Sequence, residues 1–265
     1  MSGLAEALGA SATPVIAEVK VHGGDGAGLL RGRTPAEVVA AYQEAGAAAL
    51  SVVTGRWFGG TPDLLGEVVS RTSLPVLRKD FVVGAAQLRR TRDLGASAVL
   101  LTARLLAVDT LRTLVGQALD LGLTPFVEVV DEAEVAALGP VAADCVVAVN
   151  NKDITVRETD AGGPDRGLRL LPAVLDSGTR CAVSASGIDD PADAARLLRA
   201  GYSGLLVATA LLAADHPADW FGELRRHLTT DPSARLELRR HPTTDPSARL
   251  ADARQRTAAD HPENP

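Results

Sequence analysis

The chain has 265 residues, of which 46% are hydrophobic and only 3% aromatic, and its formal net charge is −6 at pH 7. This length suits one large α/β domain with a core of Val, Leu, Ile and Ala. The acidic balance, without a basic cluster interleaved with aromatics, argues against nucleic-acid binding. Because no run of 18 apolar residues and no signal-like leader occurs, we expect a cytoplasmic protein that does not enter a membrane.

Eight short apolar runs recur along the chain at fairly even spacing. Most are near-continuous apolar stretches, which is typical of parallel strands covered on both faces. The runs occupy residues 14–20, 48–54, 75–81, 98–102, 124–130, 145–151, 180–186 and 204–209.

Amphipathic segments with helix signals separate these runs. The first has Thr34 as N-cap, Pro35 at the first helical position, Glu37 at the third and Gly46 as its stop. Another begins at Asp109. Glycines also end the later segments, at positions 95, 122, 139 and 201.

Strand and helix alternate eight times, which predicts a single (β/α)8 TIM barrel. A doubly wound open sheet is the alternative. It fits less well because it usually has fewer strands and often a Gly-rich first turn, and "GGDG" at 23–26 does not have the GxGxxG spacing.

The sequence predicts three parts: a short N-terminal segment (1–13), the barrel (14–228) and a polar, mobile tail (229–265). Residues 225–236 recur at 239–250 with one substitution, which indicates a tandem duplication in the tail. We expect no catalytic residue there, and a partner-binding peptide is the alternative interpretation. The sequence does not predict the oligomeric state.

Metal and cofactor motifs are missing from the sequence. Cys145 and Cys181 lie in apolar runs, so we expect buried thiols in a reducing compartment. The five histidines do not have ligand spacing, and neither a P-loop nor a nucleophile elbow is present. We therefore expect neither a metal nor a cofactor.

The active site of such a barrel lies at the carboxyl ends of its strands. All three lysines of the chain fall there, although 24 of its 27 basic residues are arginines. The strand-end residues are Glu18, Lys20, Lys79, Asp80, Glu128, Asn150, Asn151, Lys152, Asp153, Ser184, Ser186, Gly187 and Thr209.

These residue types favour proton transfer on a small anionic substrate. Glu18 and Lys20 are two residues apart and share a strand face. Lys20, Lys79 and Glu128 come from alternate strands, whose inward side chains form common layers. Two ammonium groups facing one carboxylate can bind an anion and transfer protons. The alternative is a salt-bridge ring that only closes the barrel.

Arg78 and Lys79 should point to opposite faces of their strand, because side chains alternate. We expect Arg78 to form an ion pair in the helix layer, and Lys79 to enter the barrel mouth.

Seven segments of the chain resemble those of one known family. "VIAEVK", "ALSVVT", "FGGTPDLL", "LPVLRKDF", "VEVVDEAE", "VNNKD" and "VSASGI" are similar, in this order, to indole-3-glycerol phosphate synthase, an enzyme of tryptophan biosynthesis. The similarity covers about residues 14–212. The resemblance implies a carbon–carbon lyase with the barrel fold. Without a cofactor, the family closes an indole ring with loss of CO2 and water.

The resemblance also implies catalytic roles. Lys79 corresponds to the general acid that protonates the carbonyl oxygen of 1-(o-carboxyphenylamino)-1-deoxyribulose 5-phosphate. Glu128 corresponds to the acid/base of the dehydration, and Lys20 to the lysine that holds the substrate carboxylate. Glu18 and Asn150 correspond to supporting residues. Phe58 and Phe81 correspond to apolar side chains near the substrate ring, and the other expected substrate contacts are His22, Asp25, Lys152, Ser184, Ser186, Gly187 and Thr209.

Several positions depart from the family pattern. The first loop, usually S-P-S-x-G, reads "VHGGDG", which places Gly23 and Asp25 where serines stand. Ala185 replaces an active-site glutamate, Ala208 replaces a glycine of the phosphate turn, and Lys152 replaces an arginine. A carboxylate beside a phosphate is repulsive, and a Cβ limits close backbone approach.

Three functions therefore remain open. The chain is a divergent synthase, or a specialised-metabolism cyclase for a different, non-phosphorylated substrate, or a non-catalytic binding barrel. The retained lysines and Glu128 favour the first two.

Overall fold

The structure is a computed structural model, and it describes residues 3–152 and 162–230. Its strands are β1 (Val15–Val19), β2 (Ala49–Val53), β3 (Val76–Lys79), β4 (Ala98–Thr102), β5 (Thr124–Val129), β6 (Val146–Asn150), β7 (Cys181–Ala185) and β8 (Gly204–Val207). They pair in parallel in chain order, and β8 pairs with β1, so the sheet closes into a barrel. The predicted (β/α)8 barrel is confirmed, and each strand lies inside the apolar run that predicted it.

Helices follow the strands around the barrel. In the described residues they are α1 (Gly3–Ala10), α2 (Pro35–Ala45), α3 (Pro62–Val69), α4 (Ala85–Asp93), α5 (Val108–Asp120), α6 (Glu132–Leu138), α7 (Pro164–Asp176), α8 (Pro191–Ala200), α9 (Thr209–Ala213) and α10 (Pro217–Thr229). A single 3-10 turn, Arg56–Phe58, follows β2, and another, Ala103–Leu105, follows β4.

The sequence predicted the start of α2 correctly and misplaced the start of α5. Thr34 and Glu37 form the predicted capping box of α2, and Gly46 ends the helix at a φ of 94°. The prediction that a helix begins at Asp109 is wrong. The N-cap of α5 is Ala107, and Asp109 lies in the first turn. There its carboxylate faces the positive end of the helix dipole, which is favourable without a cap.

The barrel interior is filled by apolar side chains and closed at its lower end by α1. Leu4 and Leu8 of α1 are buried in the same cluster as the interior residues. Leu8 lies against Gly204, the first residue of β8, so α1 covers the amino ends of the strands. The buried interior side chains include Ile16, Leu77, Leu100, Phe126, Val183 and Leu206.

Arg78 lies in the helix layer, as predicted from the alternation along β3. Its guanidinium pairs with Asp80 (Nη2 to Oδ2, 2.8 Å) and donates to Thr91 Oγ1 of α4 (2.9 Å) and Thr54 Oγ1 (3.1 Å). Asp80 is thus held by Arg78 and supports the strand end.

Burial makes both thiols unreactive. Cys145 and Cys181 are buried and free, as their apolar runs predict, and burial raises the pKa of each to about 12. Neither is therefore a thiolate at neutral pH.

Two kinds of feature are missing from the described residues. They contain no group of three or more His, Cys, Asp or Glu side chains that could hold a metal ion. Within the same ranges, no helix has the length and apolar character to cross a bilayer. Asp153 and tail residues 231–265 lie outside the described residues, so the predictions about them remain predictions.

Candidate active site

The three lysines all lie at the carboxyl ends of strands, as predicted. Lys79 is the last residue of β3, Lys20 directly follows β1, and Lys152 lies two residues beyond β6. Lys20 and Lys79 are 6% and 8% exposed. Such buried ammonium groups need charged or polarisable neighbours.

An ion pair joins the first and third strands inside the barrel mouth. Lys79 Nζ lies 3.7 Å from Glu18 Oε2, and this oxygen also accepts a hydrogen bond from Ser51 Oγ at 3.0 Å. The Glu18 side chain is 2% exposed and that of Lys79 is 10% exposed. A lysine and a carboxylate paired out of water can exchange a proton with a bound substrate.

Lys20 lies over an aromatic ring. Its Nζ is 4.1 Å from the centroid of the Phe58 ring, which is cation–π geometry. Phe58 belongs to the turn after β2, so this contact links the first two strand ends.

An apolar cavity opens beside Lys79. Phe58 and Phe81, both expected near an aromatic ring, line it together with Lys79 and Glu128. Glu128 is 2% exposed, so its carboxylate is largely shielded from water. The complete lining is Val53, Gly55, Trp57, Phe58, Lys79, Asp80, Phe81, Leu100 and Glu128.

A second, polar cavity of about 640 Å³ lies over the ends of β1, β6, β7 and β8. It brings together most of the residues expected at the phosphate end. Its lining includes Glu18, Lys20, Gly23, Gly24, Lys152, Ser186, Gly187, Asp189, Ala208 and Thr209. Since Glu18 lines the polar cavity and Lys79 the apolar one, the Glu18–Lys79 pair stands between them.

Asn150 and Asn151 shape the end of β6. Asn150 is fully buried and its Oδ1 accepts from the backbone N–H of Lys152 at 2.9 Å. Its Nδ2 has no hydrogen-bond partner among the described residues. Asn151 Oδ1 accepts from Gly167 N at 2.8 Å, which fastens the strand end to α7.

Ser184 and Ser186 have different positions. Ser184 is fully buried, accepts from Asn151 Nδ2 at 3.0 Å, and lines neither cavity. Its hydroxyl instead supports Asn151, and its predicted contact with the substrate remains a prediction. Ser186 lines the polar cavity with a φ of 65°, and its carbonyl accepts from Asn151 Nδ2 at 2.9 Å. That bond helps to hold a backbone conformation that is rare outside glycine.

Two side chains of the first loop, His22 and Asp25, line neither cavity. Asp25 Oδ1 accepts from Ala27 N at 3.0 Å, so its carboxylate is engaged in its own loop. His22 donates its backbone N–H to Phe58 O at 3.0 Å, and its ring lies against Gly59, which has a φ of 69°. The structure thus places neither side chain at a cavity. His22 ties the first loop to the second.

Two alanines mark the departures from the family pattern. Ala185 is fully buried in the barrel interior, opposite Asn150 on β6 and Leu206 on β8. Ala208 lines the polar cavity beside Thr209. Ala185 thus stands at the position of the family's glutamate, and Ala208 at the position of its glycine.

Two site residues were missed by sequence reasoning. Ser51 pairs in register with Glu18, so the inward alternation along β2 could have identified it. Trp57 lines the apolar cavity beside Phe58, but no spacing rule predicts where a side chain in such a turn will point.

The closed barrel, with lysines and carboxylates converging at its strand ends, defines a (β/α)8-barrel protein with an acid–base site. Residues 2–224 match the family model described as indole-3-glycerol phosphate synthase. The chain belongs to this family, as the seven segments predicted.

Curated relatives carrying that name cover most of the chain. The protein from Pyrococcus furiosus is 39% identical over 219 residues, which is 82% of this chain and 94% of the relative. The protein from Thermococcus kodakarensis is 36% identical, with 84% and 96% covered. The protein from Nocardioides sp. is 39% identical, with 82% and 80% covered.

Proposed function

We propose that this chain catalyses the reaction after which its family is named. It closes the indole ring of 1-(o-carboxyphenylamino)-1-deoxyribulose 5-phosphate with loss of CO2 and water, as a carbon–carbon lyase of tryptophan biosynthesis. The observation that carries the proposal is the Glu18–Lys79 pair, which stands between an apolar and a polar cavity. A substrate with an aromatic ring at one end and a phosphate at the other fits this arrangement.

The substrate is oriented by its two unlike ends. Its aromatic ring enters the apolar cavity between Phe58 and Phe81, and its phosphate enters the polar cavity toward Lys152 and Gly187. Lys20, which lines the polar cavity and touches the Phe58 ring, holds the ring carboxylate. The carbonyl then lies between the cavities, near Lys79.

Lys79 supplies the proton for ring closure. The ring carbon that bears the carboxylate attacks the carbonyl carbon, and Lys79 protonates the carbonyl oxygen as it becomes a hydroxyl. The carbon–carboxylate bond then breaks, CO2 leaves, and the electron pair restores the aromatic ring. Glu18 holds the Lys79 ammonium in place before this step.

Dehydration completes the indole. Lys79, which gave its proton to the carbonyl oxygen during ring closure, takes up another from solvent. It gives this proton to the new hydroxyl, which leaves as water with assistance from the nitrogen lone pair. Glu128, which lines the same cavity as Lys79, removes the proton from the adjacent carbon so that the double bond forms.

The glycines of the first loop support a phosphorylated substrate, because Gly23 and Gly24 leave room at the polar cavity. The Asp25 carboxylate accepts a hydrogen bond from Ala27 N and lies against Gly23, so its charge opposes a phosphate there. Lys20 and Lys152, which line the same cavity, supply the opposite charge.

Ala185 favours a second candidate, a cyclase for a different arylamino sugar. The missing glutamate leaves space and removes a charge beside Asn150. Turnover of a non-phosphorylated substrate, in preference to the phosphorylated one, would establish that candidate.

The test follows the indole chromophore after the purified chain is mixed with the phosphorylated substrate. We expect turnover that falls at least about 100-fold in Lys79→Ala, because a general acid contributes 10²–10⁴-fold. Lys79→Arg, which keeps the charge but does not readily give up a proton, should also be impaired.

Arg92→Ala is the surface control, since the Arg92 side chain is 52% exposed. It should keep full activity. Absence of turnover by the unaltered chain would contradict the proposal. Binding without turnover of either sugar would identify a binding barrel.

A further inference from the structure

Four exposed apolar side chains follow three neighbouring strands at the barrel mouth. Trp57, Val83, Leu105 and Val108 are 68%, 58%, 47% and 42% exposed. They lie in the segments after β2, β3 and β4, which are neighbours in the sheet. An exposed large apolar side chain at the edge of a cavity is a candidate for contact with a ligand.

Trp57 differs from the other three because it alone lines the apolar cavity. It lies in the turn Arg56–Phe58, whose ends are fixed by hydrogen bonds from Phe58 N (3.1 Å) and Gly60 N (3.2 Å) to Gly55 O. The turn therefore presents the Trp57 ring at the outer edge of the cavity. Much of this large ring remains in water, and a planar group entering the cavity would cover it.

The other wall residues define what can enter. Val53, Phe81 and Leu100 are apolar, while Lys79 and Glu128 mark the reactive end. A flat aromatic ring fits between these walls with its reacting carbon toward Lys79. An aliphatic group of similar size would lose the ring contacts.

We infer that Trp57 is a specificity-determining residue, whose indole ring packs on the outer side of the substrate's aromatic ring. This inference rests on the proposed function, since that function supplies the aromatic substrate. An aromatic pair contributes more binding free energy than its buried area alone would give. The contact between Trp57 and the substrate ring is made both in the bound substrate and in the transition state. Removal of the Trp57 ring should therefore weaken binding more than it slows the chemical step.

The experiment uses the phosphorylated substrate with its carbonyl reduced to an alcohol, which binds but cannot close the ring. Its affinity is measured by calorimetry for the unaltered chain, Trp57→Ala and Trp57→Phe. Leu105→Ala is the matched control, because Leu105 is exposed in a neighbouring loop and does not line the cavity. KM and kcat for the true substrate are measured in parallel.

We expect Trp57→Ala to weaken binding and raise KM roughly tenfold, with kcat within about twofold, and Trp57→Phe to recover most of the loss. Leu105→Ala should match the unaltered chain. Trp57 fluorescence, which Trp57→Phe removes, should fall on binding through energy transfer to the anthranilate group.

An unchanged affinity of Trp57→Ala for the reduced substrate would overturn the inference about Trp57 but not the proposed function. Binding with the expected pattern but no turnover would leave the inference standing and overturn the proposed function. If the unaltered chain does not bind the probe, both are overturned.

Discussion

Arg78 and Lys79 are chain neighbours that serve opposite faces of β3. Arg78 makes a fixed ion pair with Asp80 in the helix layer, where only a permanent charge is needed. Lys79 pairs with Glu18 at a longer distance in the barrel mouth, where a transferable proton is needed. Alternation along a strand therefore separates a structural cation from the proposed catalytic one by a single position.

Ala185 gives a second test at the residue scale. A glutamate there would point into the barrel interior opposite Asn150 and add a negative charge near an anionic substrate. At an effective dielectric constant near 20, a charge several ångströms away is worth about 2 kcal/mol. We predict that Ala185→Glu raises KM by about 30-fold relative to the neutral Ala185→Gln, measured at low salt.

The matched pair separates charge from size, because the two side chains have nearly the same shape. Circular dichroism would show that both variants are folded. An equal or lower KM in Ala185→Glu than in Ala185→Gln would contradict the prediction, since it would mean that the added charge does not oppose the substrate.

The elements of the barrel were predictable because their signals are local. Near-continuous apolar runs predicted all eight strands, and the Thr34–Glu37 box predicted the start of α2. The position of α1 over the amino ends of the strands was not predicted, because it depends on the contact between Leu8 and Gly204, which are far apart in the sequence. The start of α5 was misplaced because an Asp in the first turn resembles an N-cap.

Thr34 provides an element-scale prediction. Its hydroxyl accepts from Glu37 N, and its own N–H donates to Glu37 Oε2 at 2.7 Å. We expect Thr34→Ala to lower the free energy of unfolding by about 1 kcal/mol and the Tm by about 2–4 °C, as measured by calorimetry. Thr113→Ala is the control, because Thr113 is an exposed threonine inside α5 that caps nothing. An equal loss in both variants would contradict the cap's role.

The sign of the pH dependence follows from Glu37. Its backbone hydrogen bond with Thr34 lowers the pKa of the Glu37 carboxyl from 4.5. Since the folded pKa lies below the unfolded one, the box stabilises the chain above the unfolded pKa. That contribution is lost as the pH falls through the folded pKa. The difference in free energy of unfolding between Thr34→Ala and the unaltered chain should therefore become smaller at acid pH.

At the scale of the whole molecule, the barrel gathers at one end residues that are far apart in sequence. The lysines and Glu128 could be predicted as site residues because a closed parallel sheet places every strand's carboxyl end together. Asp25 and Trp57 could not be placed, because the direction of a side chain in a loop depends on neighbours from other loops. Ser184 lies on β7, where alternation with the interior residues Val183 and Ala185 could have indicated that it points to the helix layer. Their hydrogen bonds and cavity contacts settle their positions in the structure.

The central claim is a decarboxylating ring closure by Lys79 and Glu128, and it is tested most directly by measuring both products together. The purified chain is incubated with 1-(o-carboxyphenylamino)-1-deoxyribulose 5-phosphate, and CO2 release and indole absorbance are recorded in one reaction. We predict equal molar amounts of CO2 and indole product, with both lost in Lys79→Ala. CO2 without indole, or neither product from the unaltered chain, would contradict the claim.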